Sequence, residues 1–329
     1  MVSLLPVFLA CSGDEPVTPV SEGPVALPAH ISQRPVPADN PMTDAGIALG
    51  RTLFYESALS SDGSTSCGSC HQQQYAFGDN TPTSTGVNGQ TTHNTPPLIN
   101  LAWSTRLFWD GRASSIEDAL REHILDPTIL DRNPDDIPAV LSDHHNSFEA
   151  VFPGDSISAE GTVRALAQFV RSLVSFNATI DDIQTDTVTL SEAQERGRLL
   201  LQDRLSTDDG EHLCNRCHAR SAHVTGEGMM SGLFTTGALS DNGTGTWRIP
   251  TIRNIAVTAP YFHDGAAVSL AEALGHYNTL PDSVNAALKD TDGTPIRPEF
   301  SASDLADLAE SLAVFTDQTF LENPAFGPP

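Results

Sequence analysis

Lysine is almost missing from this chain; Lys289 is the only one. The 329 residues hold 17 Lys and Arg against 42 Asp and Glu, a formal net charge of −25. Such a surface repels polyphosphate backbones and anionic lipid, which excludes a nucleic-acid surface and argues against electrostatic adhesion to a membrane. It suits a basic redox partner, and equally serves plain solubility. Also missing is an apolar run of the roughly 20 residues that a spanning helix needs. Alternating strand patterns are scarce, while Pro, Gly, Thr and Asn fill long loops around residues 78–100 and 221–250. Cysteine is sparse as well, at five, and four of the five fall in two short runs.

Those runs are Cys67-Gly68-Ser69-Cys70-His71 and Cys214-Asn215-Arg216-Cys217-His218. C-x-x-C-H is the attachment pattern of a c-type haem: two thioethers hold the porphyrin edge and the following histidine becomes an axial iron ligand. A four-cysteine zinc site or a pair of disulfides would also use four cysteines. Neither would need a histidine directly after both pairs. Cys67, Cys70, Cys214 and Cys217 are therefore read as attachment residues, with His71 and His218 on two irons.

The fifth cysteine, Cys11, closes the apolar stretch Leu4-Leu5-Pro6-Val7-Phe8-Leu9-Ala10. Apolar residues followed by a small residue and Cys resemble a lipoprotein signal, in which Cys11 would carry the lipid; a plain cleaved signal is the alternative. No basic residue precedes the stretch, and Phe8-Leu9 fits the lipid-attachment pattern only loosely. Either reading predicts an exported, periplasmic or otherwise extracytoplasmic protein, touching the membrane only through that anchor. Residues 12–41, rich in Ser, Pro, Glu, Val and Gly, read as a flexible tether, so residues 1–41 form a signal-and-tether segment.

The remainder divides into two matching halves. Gly50-Arg51 recurs 147 residues on as Gly197-Arg198, at the same offset that carries Cys67 to Cys214. Each half thus has a helix, a polar loop and a C-x-x-C-H run. Thr43 and Ser191 are placed as helix N-caps, and Ser191-x-x-Gln194 forms a capping box. Residues 161–177 show helical apolar spacing through Val163, Leu166, Ala167, Val170, Leu173 and Val174. Ser303-Asp304 is expected to cap a final helix carrying Leu305, Leu308, Leu312 and Phe315. The expected fold class is mainly α: two cytochrome c-like domains with long loops, over 42–180 and 181–329, one c-type haem each.

In this order and spacing the motifs resemble the bacterial di-haem cytochrome c peroxidase and MauG-type family. Carriers in the first half are the segments 49–54, Asn94-Thr95-Pro96-Pro97-Leu98-Ile99-Asn100, and Phe108-Trp109-Asp110-Gly111-Arg112. In the second they are Pro250-Thr251-Ile252-Arg253-Asn254 and the segment from Thr258 to Gly265. The resemblance implies that the haem of His71 meets hydrogen peroxide and that the haem of His218 stores or relays an electron. Trp109 would be the relay between them. It also implies a calcium ion held by the Asn94 side chain and the carbonyls of Thr258 and Pro260, since calcium accepts neutral oxygen ligands.

Four departures from the family pattern bear on mechanism. Ala119 and Ile129 stand where relatives usually carry a glutamine and the acid–base glutamate of the peroxide pocket. Glu122 or His123 is the nearest group able to replace that glutamate. Val87 is the nearest counterpart of a loop histidine that blocks the resting iron in many peroxidases; His93, beside Asn94, is the alternative axial ligand. Tyr277 stands in place of the methionine that binds the second iron in electron-accepting peroxidases, as in the MauG branch; Met229 and Met230 are the only nearby thioethers.

The expected activity is peroxide reduction at the first haem. Electrons would come from a small c-type cytochrome or another redox protein and pass through the second haem. A di-haem electron carrier without peroxidase activity is the alternative, and a haem-based sensor the third reading.

Overall fold

In the computed structural model the described residues are 21–183 apart from 22, 30 and 32, then 188–203, 218, 234–235, 246–280, 282 and 288–329. Cys11, Cys214, Cys217, Met229 and Met230 lie outside them. The fold is mainly helical, and its described strands are two short antiparallel pairs: β1 (Thr85–Gly86) with β2 (Gly89–Gln90), and β3 (Phe234–Thr235) with β4 (Thr246–Trp247).

Helix α1 (Asp44–Phe54) opens on Thr43, whose hydroxyl accepts from the Gly46 N–H at 2.9 Å. The turn α2 (Cys67–Cys70) carries the first cysteine pair, and α3 (Ile116–Leu125) starts from a Ser115 cap that accepts from Asp118 N–H. Short helices α4 (Ile137–Val140) and α5 (His145–Val151) lead to α6 (Ala159–Ser172). Helix α1 crosses α6 where a Cβ on Gly50 would lie 2.0 Å from the Ala165 carbonyl oxygen. Only glycine allows that approach.

The second half repeats the device. After α7 (Thr179–Ile183), α8 (Glu192–Asp203) begins at Ser191, whose capping box with Gln194 closes at 3.2 and 3.0 Å. Helix α9 (Leu270–Gly275) precedes α10 (Ala302–Leu312). Helix α8 crosses α10 where a Cβ on Gly197 would lie 2.0 Å from the Asp307 carbonyl oxygen. The matching glycines of the sequence repeat are thus the contact points of two equivalent helix pairs.

A second repeat, at an offset of 154 residues, follows the haem-binding runs. It pairs Asn100 with Asn254, Phe108-Trp109-Asp110-Gly111 with Phe262-His263-Asp264-Gly265, and Ser115 with Ser269, the caps of α3 and α9. Both asparagines are left-handed, at φ 54° and 56°. Isolated bridges Leu107–Ala113 and Tyr261–Ala267 are equivalent too. The asparagines converge: Asn100 bonds the Ser175 backbone, while Asn254 Nδ2 donates to Ser175 Oγ and Asn254 Oδ1 accepts from the Asp317 N–H. Buried Asp317 also accepts from Ser175 Oγ at 2.9 Å and from Asn177 N–H at 3.0 Å.

Three sequence expectations change in detail. The helix expected over 161–177 runs from Ala159 to Ser172; Leu173 to Phe176 stay buried but leave the helix, because the backbone there bonds Asn100 and Asp317 instead. Helix α10 is capped by Ser301 rather than Ser303, Phe315 falls in a following 3₁₀ turn, and α11 (Gln318–Glu322) comes after it. In the expected tether, Ile31 packs with Trp103, Val174 and Phe176, and Asn40 donates to Glu117 Oε1 at 2.8 Å inside the first half.

The largest core holds Leu53, Phe54, Phe77, Leu166 and Phe169 from the first half, with Phe320 and Phe326 from beyond α10. Each fully buried aromatic contributes about 2–3 kcal/mol of apolar transfer. Polar contacts fix the tail: Arg51 donates to the Gly327 carbonyl at 2.6 Å, the Tyr55 hydroxyl to Phe326 O at 2.7 Å, and Gln73 to Phe320 O at 3.0 Å. The second half has a smaller cluster of Leu280, Leu288, Phe300 and Leu308.

Candidate functional site

The first C-x-x-C-H run is a tight turn held at both ends. Ser69 Oγ accepts from the Ser66 N–H at 3.0 Å, and the Tyr55 ring lies where a Cβ on Gly68 would fall, 2.4 Å from its nearest atom. Cys67 and Cys70 are not paired with each other; burial pushes the Cys67 thiol up to about 12 and raises that of Cys70 as well. His71 Nδ1–H donates to the Phe77 carbonyl at 2.7 Å. Its Nε2 is therefore the unprotonated nitrogen, the form that binds a metal. Burial first, and then the neighbouring His123, push the His71 pKa down to about 4.

These residues open onto a cavity with an empty volume of about 1490 Å³ including its mouth. Cys67, Cys70 and His71 line it, as do Ala119, His123 and Ile129. Thiols, an imidazole nitrogen and a mainly apolar wall match the needs of a covalently attached haem, so the residues present fit that group.

The structure separates the two side chains considered as a replacement acid. His123 faces the cavity: its ring centroid lies 6.2 Å from that of His71, and its Nδ1–H donates to Ala119 O at 3.0 Å. Phe108 stacks on it at 5.0 Å and 13°, and the Arg112 guanidinium lies 3.7 Å from the Phe108 ring centre. Glu122 is absent from the cavity lining and pairs with Arg112 Nε at 2.7 Å, with nearly half its side chain exposed. Val87, in the β1–β2 turn, bonds the Ile129 carbonyl through its N–H and is not part of the lining.

Trp109 reaches from this cavity into the second half. Its indole N–H donates to Asn94 O at 2.7 Å, its carbonyl accepts from the Arg248 N–H, and its ring is edge-on to His263 at 6.5 Å. His93 packs edge-on against Trp247 at 5.3 Å and His263 at 5.7 Å, and shows no ring contact with His71. Asn94 N–H donates to His263 O at 2.7 Å, tying the Asn94 segment to the strand of chain after Thr258 and Pro260; its side-chain amide donates to Thr81 O at 2.9 Å. Thr258 Oγ1 donates to Ile255 O, and the Ala259–Pro260 bond is cis.

Arg248 is a cavity residue that sequence reasoning passed over. It lines the first cavity, its Nε is buried without a hydrogen-bond partner among the described residues, and burial pulls its pKa down to about 10. A cation in that position fits a carboxylate, as a haem propionate would supply. The only available signal was an arginine standing next to Trp247 in a polar loop.

At the second site, His218 Nδ1–H donates to Pro250 O at 3.1 Å, and burial pushes the ring down to about 4, the same arrangement as at His71. Tyr277 packs with Leu280, Leu288, Phe300 and Leu308. Adjacent His276 holds a buried Nε2 without a partner among the described residues, and burial lowers its pKa. Sequence reasoning had not weighed it.

Residues 44–188 match the family model described as di-haem cytochrome c peroxidase. The methylamine utilization protein MauG of Methylorubrum extorquens is 30% identical over 262 residues, covering 74% of this chain and 71% of that protein. The chain belongs to the di-haem cytochrome c peroxidase and MauG family. The cytochrome c551 peroxidase of Nitrosomonas europaea is 28% identical, covering 73% of this chain and 75% of the relative. Among solved structures, a MauG-like protein associated with microbial copper homeostasis matches with a TM-score of 0.75 at 27% identity, over 92% of this chain and 98% of the other. The di-haem peroxidase BthA of Burkholderia thailandensis shares the fold, with a TM-score of 0.64 at 20% identity, over 88% of this chain and 91% of the other. Family membership implies two covalent haem c groups and a peroxidase-like oxidoreductase. Among the described residues no helix is long and apolar enough to cross a membrane.

Proposed function

We propose that the protein reduces hydrogen peroxide at the haem of His71, with electrons delivered through the haem of His218 from a small c-type cytochrome or similar redox protein. The observation that carries this reading is the path from the first cavity to the second half through Trp109, which lines the one and contacts His263 and Arg248 of the other. When bound, the haems supply the iron that accepts peroxide and the electron store that reduces it. Cys67 and Cys70 fix the first group, His71 offers Nε2 on one side, and Arg248 would balance a propionate charge. Trp109 is the aromatic stepping stone, pinned by its bond to Asn94.

Reduction of one peroxide to two waters takes two electrons and two protons. Ala119 and Ile129 can donate no side-chain proton, so on this reading protons enter from water and turnover is slow. That apolar wall is also what favours the second reading, an electron carrier. Export by a signal or a lipid on Cys11, a calcium ion at Asn94, Thr258 and Pro260, and Tyr277 on the second iron complete the proposal. Intact mass should give two haems per chain, and steady-state peroxide consumption coupled to oxidation of reduced cytochrome c should be measurable. Two haems without turnover, including after prior reduction of the protein, would leave the electron carrier.

A further inference from the structure

We propose that His123, from helix α3, is the second axial ligand of the first haem iron, so that the resting site is closed to peroxide by a helix residue rather than by a loop. The inference rests on the reading that the cavity takes a haem on His71.

Three observations converge. The first is distance. A metal–imidazole bond is about 2.0 Å and the bonding nitrogen lies roughly 1.1 Å from its ring centre, so two imidazoles on opposite sides of one metal have centroids about 6 Å apart. His71 and His123 are 6.2 Å apart. Their planes meet at 54°, which ligation accommodates, because each ring can turn about its own metal–nitrogen axis. The second is tautomer. Both rings give Nδ1–H to a backbone carbonyl, Phe77 O for His71 and Ala119 O for His123, and each is left with an unprotonated Nε2. The third is the internal repeat. The 154-residue offset that aligns Asn100 with Asn254 and the Ser115 cap with Ser269 aligns His123 with Tyr277, the residue proposed above for the second iron.

The ring is also held for the role. Phe108 stacks on it, Arg112 lies against Phe108, and Glu122 holds Arg112, so the stack is tied back to α3 itself. A loop ligand swings away easily. Releasing His123 would require turning the side chain out of this stack or shifting α3. Peroxide would then gain the iron only after that step.

The experiment uses the purified di-haem protein. Electron paramagnetic resonance of the oxidised wild type should show two low-spin haems, and carbon monoxide should not bind the first haem on full reduction. His123→Ala should convert one low-spin signal to high spin, open that haem to carbon monoxide and speed its reaction with peroxide. Added imidazole should restore the low-spin signal. His123→Met, which keeps a ligand in place, should stay low-spin but with a raised reduction potential. A wild type with a high-spin first haem that binds carbon monoxide overturns the proposal and leaves the peroxidase reading standing. So does a low-spin wild type whose signals are unchanged in both variants. Failure of the parent reading is separate: it would appear as no haem attached at Cys67 and Cys70 by mass.

Discussion

At the scale of single residues, chemistry is concentrated on a few atoms whose neighbours decide their form. His71 and His218 are both kept neutral by burial, each with its Nδ1–H on a carbonyl, which leaves Nε2 unprotonated and able to bind a metal. Replacing the carbonyl partner is impossible by side-chain substitution, but removing the ring is not: His218→Ala should abolish the low-spin signal of the second haem while thioether attachment, read by mass, persists. Tyr277 is the proposed ligand of that iron, and the buried Nε2 of His276 is the neighbouring group that could take its place. Tyr277→Phe should open it, seen as a high-spin signal; an unchanged Tyr277→Phe spectrum with a changed His276→Ala spectrum would transfer the role to the buried Nε2 of His276. In the first cavity, Ala119→Gln with Ile129→Glu should raise the rate of peroxide consumption by up to about 10²–10⁴, measured by stopped flow, and most fully when His123 is also removed. The two C-x-x-C-H runs were legible in the sequence because the motif is local. His123 was named there only as one of two choices with Glu122, and Arg248 and His276 not at all, since which face of a helix or loop meets the cavity is decided by tertiary packing.

At the scale of elements, two glycines set the geometry of both halves. Gly50 lets α1 touch the backbone of α6, and Gly197 lets α8 touch that of α10. Gly50→Ala forces a methyl into a carbonyl oxygen and should cost at least about 1–3 kcal/mol, read as a lowered denaturation midpoint with haem content unchanged. Gly197→Ala should act in the same direction. The caps at Thr43 and Ser191 could be read from the sequence because a hydroxyl and an N–H three residues away form a short-range pair. The end of α6 could not be. Leu173 and Val174 continue its apolar stripe, yet their neighbours are drawn off the helix by Asn100 and Asp317, residues distant in sequence.

At the scale of the whole molecule, Asp317 is the joint. It binds Ser175 and Asn177 of the first half and Asn254 of the second, and it starts α11 through the Phe320 N–H at 3.0 Å. Asp317→Ala leaves several buried donors unpaired and should destabilise the protein by roughly 2–4 kcal/mol. Limited proteolysis should then cut around residues 317–322 before any other described helix is lost. The two-domain pattern was visible in the 147-residue repeat. The crossing of the tail back onto the first half was not, because no local signal records a contact between Phe77 and Phe320.

That crossing has a consequence in time. Gln73, three residues past Cys70, is separated from its partner Phe320 by 247 positions. At synthesis rates of about 5–20 residues per second, roughly 12–50 seconds pass between the appearance of the two. Through that interval the floor beneath the first haem-binding turn is unfinished. The packing against which the Cys67–Cys70 turn rests is therefore supplied last, when Phe320 and Phe326 join the core.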